Sequence, residues 1–126
     1  MNPILVCENI SKNYQSTVAV NNLSISVSKG EIISILGSSG CGKTTLLRLI
    51  AGFEKLDRGE IKLKNTPVSS IEKHIQPENR NIGMVFQEYS LFPHMNVAQN
   101  ITFGLKGYSK SKNQTRLKEV LELIHL

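Results

Sequence analysis

The stretch Gly37-Ser38-Ser39-Gly40-Cys41-Gly42-Lys43-Thr44, followed by Thr45, decides the fold of this chain. It fits the pattern G-x-x-x-x-G-K-S/T, in which a glycine-rich loop wraps phosphate groups. The run before it, residues 31–36, is short, apolar and rich in β-branched side chains, which predicts a buried strand. The run after it, residues 43–51, predicts a helix that ends at Gly52. Strand, loop and helix in this order direct backbone N–H groups and a helix N-terminus at an anion.

Each residue type in the loop has a mechanical reason. Gly37, Gly40 and Gly42 are expected to take positive φ and to let the backbone approach a phosphate with no Cβ in the way. Lys43 is expected to bind the outer phosphates, and the Thr44 hydroxyl is expected to bind Mg²⁺. An ordinary glycine turn before a helix is the alternative, but a chance match to all four fixed positions is rare, roughly below 1% for so short a chain. The predicted nucleotide-binding set also includes Ser38, Ser39, Cys41 and Thr45.

Composition excludes several other classes of protein. The chain has 126 residues, of which 40% are hydrophobic and 20% charged, as expected for one globular domain with a real core. No apolar run approaches the roughly 20 residues that span a bilayer, and the first residues lack the features of a secretory signal. Cys7 and Cys41 make no metal or disulfide pattern, which favours a reduced, cytoplasmic setting. The net charge of +5 comes from scattered lysines without interleaved aromatics, so no nucleic-acid partner is expected.

Periodicity predicts the remaining elements. Strands are predicted over residues 4–10, 17–20, 23–27, 60–64 and 82–86. Residues 66–80 are predicted to be mostly loop because Pro67 and Pro77 break them. A helix capped by Asn96 is predicted from Val97 to about Gly104, and another from Ser111 to the last residue. The predicted fold class is therefore α/β, with a P-loop NTPase core preceded by an antiparallel β layer and followed by the start of a helical subdomain.

Two segments carry a family resemblance. The segments SILGSSGCGKTTLLRLIAG at residues 34–52 and GMVFQEYSLFPH at residues 83–94 resemble the first part of an ABC transporter ATP-binding subunit. The resemblance implies that ATP and Mg²⁺ are the cofactors and that the loop is the Walker A motif. It places Tyr14, in a predicted polar loop, where the family stacks an aromatic ring on adenine. It places Gln87 at the Q-loop glutamine, which contacts Mg²⁺ or the attacking water, so that Lys43 and Gln87 are the expected catalytic residues.

The same resemblance implies the partners and the location of the intact protein. The expected partners are transmembrane permease subunits, a second ATP-binding subunit in a head-to-tail dimer and, indirectly, a periplasmic or lipoprotein solute-binding protein. Residues 91–94 lie where the family's ATPase touches a coupling helix of the permease. The expected location is the cytoplasmic face of the inner membrane, as a peripheral protein. The motifs are similar to those of ferric-iron and polyamine importers, with sulfate and sugar importers close behind, and ferric iron is the first expectation among them.

The chain departs from the family pattern in its catalytic parts. It has no Leu-Ser-Gly-Gly-Gln segment and no strand that ends in an aspartate followed by a catalytic glutamate, and its single aspartate, Asp57, lies in a predicted turn. The resemblance therefore implies an N-terminal part of the family's domain, divided into residues 1–30, 31–87 and 88–126. This part alone is expected to be unstable and to lack ATPase activity. A non-hydrolysing nucleotide-binding module and a P-loop GTPase or small-molecule kinase are the competing hypotheses, although the Asn-Lys-x-Asp base reader of a GTPase is missing.

Overall fold

A computed structural model describes residues 2–126. The chain divides into two compact units, Met1–Met84 and Val85–Leu126. The first unit contains the glycine loop and the second contains Gln87. The division into residues 1–30, 31–87 and 88–126 remains a prediction.

A four-stranded antiparallel sheet dominates the first unit, with the strand order β2-β1-β3-β4. Its strands are β1 (Pro3–Tyr14), β2 (Thr17–Ser28), β3 (Arg58–Leu63) and β4 (Thr66–Ser69). The pairing of β1 with β2 continues to the partners Tyr14 and Thr17, so the two strands form one long hairpin. The turn from β3 to β4 is Lys64-Asn65, with φ angles of 47° and 64°, which matches the primed turns that join twisted antiparallel strands.

Helix α1, Lys43–Ala51, packs its apolar side chains against this sheet. Its ends lie where the sequence predicts them, and Gly52 follows the last turn at φ 96° with its N–H bonded to the Arg48 carbonyl at 2.9 Å. The core combines the apolar side of α1 with the inner face of the sheet, and each fully buried side chain contributes about 1.5–3 kcal/mol. The buried cluster consists of Cys7, Ile10, Val20, Leu46, Leu49, Leu56, Ile61 and Val68.

The antiparallel layer is confirmed, with corrections to its strand boundaries. The strand predicted over residues 4–10 continues to Tyr14, because the hairpin keeps its cross-strand pairing to the turn. The predicted strands 17–20 and 23–27 are one strand, in which Asn22 takes φ 47° close to a register shift. The predicted loop 66–80 contains β4, which pairs with β3 and tolerates Pro67 as an edge strand does.

The prediction of buried strands over residues 31–36 and 82–86 is wrong for the described residues. Neither belongs to the sheet, and both are irregular. Ile32, Leu36 and Val85 are 94%, 91% and 97% exposed. Parallel strands need a hydrogen-bonding neighbour and a layer of side chains on each face, and no strand in residues 2–126 pairs with these two runs. The apolar composition is that of a buried strand, but the described residues supply no partner.

A buried arginine joins the end of α1 to the sheet. Arg80 is 4% exposed, and its guanidinium donates to backbone carbonyls of three different segments. Because Arg80 covers the last carbonyls of α1, it serves as a cationic cap at the negative end of the helix. The bonds are Nη1 to Leu49 O (3.0 Å) and Ile50 O (3.1 Å), Nε to Ile75 O (2.7 Å), and Nη2 to Val68 O (3.2 Å).

His74 lies between this arginine and the end of the helix. Its Nε2 is 3.1 Å from Gly52 O and its Nδ1 is 3.4 Å from Arg80 Nη2, a pattern that a neutral imidazole with its proton on Nε2 satisfies. Partial burial and then the positive charge of Arg80 lower the pKa of His74, with a further contribution from Lys55. The neutral imidazole is therefore the form that fits this position.

The second unit is helical. Helix α2 (Val97–Thr102) begins at Asn96, whose side chain forms the predicted cap and, with Gln99, a complete capping box. A 3₁₀ turn, Phe103–Leu105, follows it, and helix α3 covers Lys110–Leu123. The second predicted helix therefore stops before the last residues, where His125 takes φ 59°. Among the residues that the structure describes, no helix has both the length and the apolar character needed to cross a membrane.

Candidate nucleotide-binding site

The glycine loop reaches α1 through two residues of positive φ. Gly40 has φ 80° and Gly42, the N-cap residue of α1, has φ 95°. Gly37 is not at positive φ, so that part of the prediction is wrong for it. Its lack of a side chain matters for space instead, because a Cβ at Gly37 would lie 2.6 Å from the Cys41 sulfur. Positive φ therefore favours glycine at positions 40 and 42, and the nearby Cys41 side chain favours it at position 37.

The side chain of Lys43 folds back over the loop. Its Nζ donates to Gly37 O at 2.6 Å and to Ser38 O at 2.7 Å, and lies 3.5 Å from the Cys41 sulfur. The ammonium therefore neutralises two carbonyl dipoles that point into the loop. Phosphate oxygens offer stronger, charged acceptors for the same ammonium, so Lys43 can exchange these carbonyls for an anion.

The N-terminus of α1 is open to an anion. Its first turn carries no acidic residue, and no side chain caps it. The backbone N–H groups of that turn lie at the positive end of the helix dipole and need acceptors from outside the helix. Thr44, in this turn, is exposed, while Thr45 is half-buried. The loop, the Lys43 ammonium and these N–H groups together fit the phosphates of a nucleotide, with the Thr44 hydroxyl available to the accompanying Mg²⁺.

A magnesium ion in this site does not depend on a cluster of protein carboxylates. Within residues 2–126, no group of three or more His, Cys, Asp or Glu side chains is placed to hold a metal ion. Mg²⁺ commonly binds phosphate oxygens, water and one or two protein oxygens. The Thr44 hydroxyl beside a phosphate-binding loop fits this mode, in which the nucleotide itself supplies metal ligands.

Tyr14 lies beside the first turn of α1. It was expected in a polar loop, but it is the last residue of β1, because the hairpin pairs up to this position. Its hydroxyl interacts with Thr45 and Glu54, and partial burial followed by the charge of Glu54 raises the pKa of Tyr14. The ring remains 40% exposed. Strand β1 therefore places an accessible aromatic side chain next to the first turn of α1, and its contact with a base remains a prediction.

Gln87 lies in the second unit and is exposed. Residues 91–94 follow it in a turn that the Asn100 side chain holds together. Asn100 Oδ1 accepts the Phe92 N–H at 2.9 Å, and its Nδ2 donates to Met95 O at 3.0 Å. Leu91 is exposed, and the Phe92 ring packs against Phe103 with ring centroids 4.4 Å apart. The catalytic role of Gln87 and the permease contact of this turn remain predictions.

Four residues that matter for this geometry were not singled out from the sequence: Lys12, His74, Arg80 and Asn100. A polar or charged residue among other polar residues carries no local signal of what it bonds. Asn100 is partly an exception, since an amide four residues after the cap Asn96 can bond the Asn96 carbonyl, as it does at 3.0 Å. The partners of Arg80 lie up to 31 residues away, beyond the reach of any pattern in the sequence.

The two cysteines are expected to differ in reactivity. Cys41 is exposed in the loop beside Lys43, whereas Cys7 is buried in the core, where burial raises its pKa to about 11. A maleimide near neutral pH should alkylate Cys41 faster than Cys7 in the wild-type chain, and MgATP should protect Cys41 because bound phosphates fill the loop. Peptide mapping by mass spectrometry measures both rates. Rapid labelling of Cys41 at the same rate with and without ATP would contradict nucleotide binding in this loop.

A glycine loop that opens a helix, with a lysine side chain folded over it, has the arrangement of a P-loop unit of the α/β class. Residues 20–126 match the family model described as ABC transporter. The chain belongs to this family.

Similar proteins are ATP-binding proteins of transport systems, which is consistent with the family. The chain is 44% identical to the putrescine transport ATP-binding protein PotG of Escherichia coli (strain K12) over 128 residues, which cover 100% of this chain and 33% of PotG. It is also 44% identical to the Fe(3+) ions import ATP-binding protein FbpC of Pasteurella multocida (strain Pm70), covering 99% of this chain and 35% of FbpC. The chain therefore spans about a third of the length of these relatives.

Solved structures have the same fold. One is an ATP-binding cassette solved as a dimer in a post-hydrolysis state bound to ADP and Pi, with a TM-score of 0.78 and 26% identity, covering 97% of this chain and 57% of that one. Another is cbiO1 from Clostridium perfringens, part of the ABC transporter complex cbiONQ, with a TM-score of 0.75 and 30% identity over 97% of this chain and 50% of that one. The α/β fold class is thereby confirmed.

Proposed function

We propose that this chain forms the nucleotide-binding part of the ATPase subunit of an ABC importer. The observation that carries the proposal is the loop at the uncapped, acid-free N-terminus of α1, with Lys43 poised over it. The family and the importer relatives PotG and FbpC support the assignment to transport. In the whole protein, ATP binding and hydrolysis drive solute uptake at the cytoplasmic face of the membrane.

Different residues of the chain contact different parts of MgATP in this proposal. Lys43 and the N–H groups of the loop and of α1 hold the phosphates, and the Thr44 hydroxyl binds Mg²⁺. Tyr14 stacks on the adenine, and Gln87 contacts the metal ion or the attacking water. Ser38, Ser39, Cys41 and Thr45 shape the loop around the phosphates. Transmembrane permease subunits and a second ATP-binding subunit complete the transporter, with residues 91–94 as the contact to the permease and a solute-binding protein delivering the substrate.

A cation is the solute class that the relatives favour. FbpC is named for the import of Fe(3+) ions and PotG for the transport of putrescine, which is a cation near neutral pH. Ferric iron, the first expectation from the sequence, and polyamines both belong to this class. Other subunits of the transporter recognise the solute. Uptake assays with ferric iron and with polyamines, in a strain lacking the gene, are therefore the measurement that separates these two solutes.

ATP binding is the direct test of the proposal. The 126-residue chain should bind MgATP in titration calorimetry, and Lys43→Ala should weaken binding at least tenfold because the charge that holds the outer phosphates is lost. Tripolyphosphate should bind as well, although more weakly, and should show the same dependence on Lys43. Nucleotide binding that is insensitive to Lys43→Ala would contradict the proposed site.

The same chain is expected to show no ATP turnover above the Lys43→Ala control. It contains no acidic pair at the end of an apolar strand and no signature segment for a partner's site. A phosphate-release assay with MgATP measures turnover directly. Clear turnover that depends on Lys43 would mean that the 126 residues contain a general base that the family pattern does not identify.

A further inference from the structure

Lys12 connects the Tyr14 ring to two carboxylates. Its side chain is 13% exposed, and its Nζ lies 3.9 Å from Glu54 Oε2 and 3.7 Å from Asp57 Oδ1. The same ammonium lies over the Tyr14 ring, 5.3 Å from the ring centroid. A largely buried ammonium between two carboxylates and an aromatic face has little freedom to move, so its position relative to the ring is well defined.

The backbone explains why these groups meet. Lys12 and Tyr14 are two residues apart at the end of β1, and the contact of the ammonium with the ring puts their side chains on the same side of the strand. Glu54 and Asp57 lie in the segment between α1 and β3. Asp57 also fastens this segment to β1, since its Oδ2 accepts the Asn13 N–H at 2.6 Å and its own N–H donates to Ser11 O at 3.0 Å. The end of β1 that carries Tyr14 is therefore tied to the segment that leaves α1.

We propose that Lys12 is a positioning residue for recognition of the nucleotide base. It covers one face of the Tyr14 ring and, held by Glu54 and Asp57, leaves the other face to the base. The cation on the covered face restricts the tilt of a ring that is otherwise 40% exposed. This proposal rests on the proposed function, because it assigns a role to Lys12 within the same nucleotide site.

A purely structural role for Lys12 makes a different prediction. If the ion pairs only stabilised the sheet, their loss would weaken the binding of every ligand of the loop by the same factor. If Lys12 orients the ring, its loss weakens ATP but leaves tripolyphosphate, which has no base, unchanged. The ratio of the two affinities, here called the base increment, therefore separates the two roles.

Lys62 offers a matched control. It lies on β3 of the same sheet, its side chain is 27% exposed, and its Nζ also pairs with two carboxylates, Glu8 at 3.3 Å and Glu60 at 2.9 Å. No contact with an aromatic ring is found for Lys62 among the described residues, unlike Lys12. Lys12→Met and Lys62→Met each remove one charge that pairs with two carboxylates, and of the two lysines Lys12 is the one that lies over the Tyr14 ring.

The experiment measures Kd for MgATP and for tripolyphosphate by titration calorimetry on the 126-residue chain. Lys12→Met should reduce the base increment about threefold to tenfold, while the Kd for tripolyphosphate and all values for Lys62→Met stay within twofold of wild type. Tyr14→Ala should reduce the base increment about fivefold to 150-fold, the range that stacking of one base gives. Adding Lys12→Met to Tyr14→Ala should have no further effect, because no ring remains to be positioned.

Several outcomes would overturn the proposal: an equal loss for ATP and tripolyphosphate in Lys12→Met, an unchanged base increment, or an equal effect of Lys62→Met. Should Lys12→Met not fold, Asp57→Asn replaces it, since it loosens Lys12 yet keeps an oxygen for the Asn13 N–H. It must lower the base increment in the same direction, and an unchanged increment overturns the proposal. Failure of the proposed function is distinct from these outcomes, because Lys43→Ala would then leave both affinities unaltered.

Discussion

Replacing Arg80 with methionine is expected to lower the free energy of unfolding of the 126-residue chain by about 3–4 kcal/mol. The aliphatic part of the side chain is retained, but the guanidinium that bonds four backbone carbonyls is lost. Two of these carbonyls end α1 and have no intrahelical partner, so they would be left without a donor. Urea unfolding followed by circular dichroism at 222 nm, in buffer with trimethylamine N-oxide to favour the compact chain, measures the difference.

The matched control is Arg58→Met. Arg58 begins β3 and is exposed, so the same change of side chain and charge is expected to alter the free energy of unfolding by less than about 0.5 kcal/mol. Arg80→Lys should fall between the two, because an ammonium has three donors on one atom and cannot span carbonyls from separate segments. If Arg80→Met cost no more than Arg58→Met, the guanidinium would not be the group that holds α1 to the sheet.

The parts of the fold that depend on local chemistry could be predicted from the sequence. The glycine at each end of α1 and the asparagine cap of α2 act within a few residues, and both helices begin where these signals lie. The same holds for the loop and its lysine, since a phosphate-binding loop is built from consecutive residues.

The parts of the fold and site that depend on distant partners could not be predicted from the sequence. An apolar run predicts a buried strand only if other strands pair with it, and residues 31–36 find none in the described chain. Arg80 and Lys12 are ordinary charged residues in the sequence, and their roles arise because the fold brings separate segments to them. Tyr14 was assigned to the base from the family resemblance, and that role remains a prediction; the structure places its side chain beside Thr45.

Gly42→Ala is expected to cost more stability than any other alanine substitution in the loop. Gly42 combines φ 95° with direct packing on β2, where an added Cβ would overlap the carbonyl oxygen of Ala19. Positive φ costs an alanine roughly 1–2 kcal/mol, and the overlap with a backbone atom, which cannot rotate away, must be relieved by shifting the loop from the sheet. The expected total is about 3–5 kcal/mol in the free energy of unfolding, with loss of measurable ATP binding.

The Gly40→Ala variant separates the cost of positive φ from the cost of the overlap with Ala19. Gly40 has φ 80°, close to that of Gly42, but a Cβ there meets no atom within 4 Å. Gly40→Ala should therefore cost only the backbone term, roughly 1–2 kcal/mol, in the same urea titration. A difference of about 2 kcal/mol or more between the variants would assign the excess to the contact of Gly42 with Ala19, which fixes the start of α1 against β2. Equal losses would instead mean that the loop moves off the sheet freely, and that the contact with Ala19 does not hold the N-terminus of α1 in place.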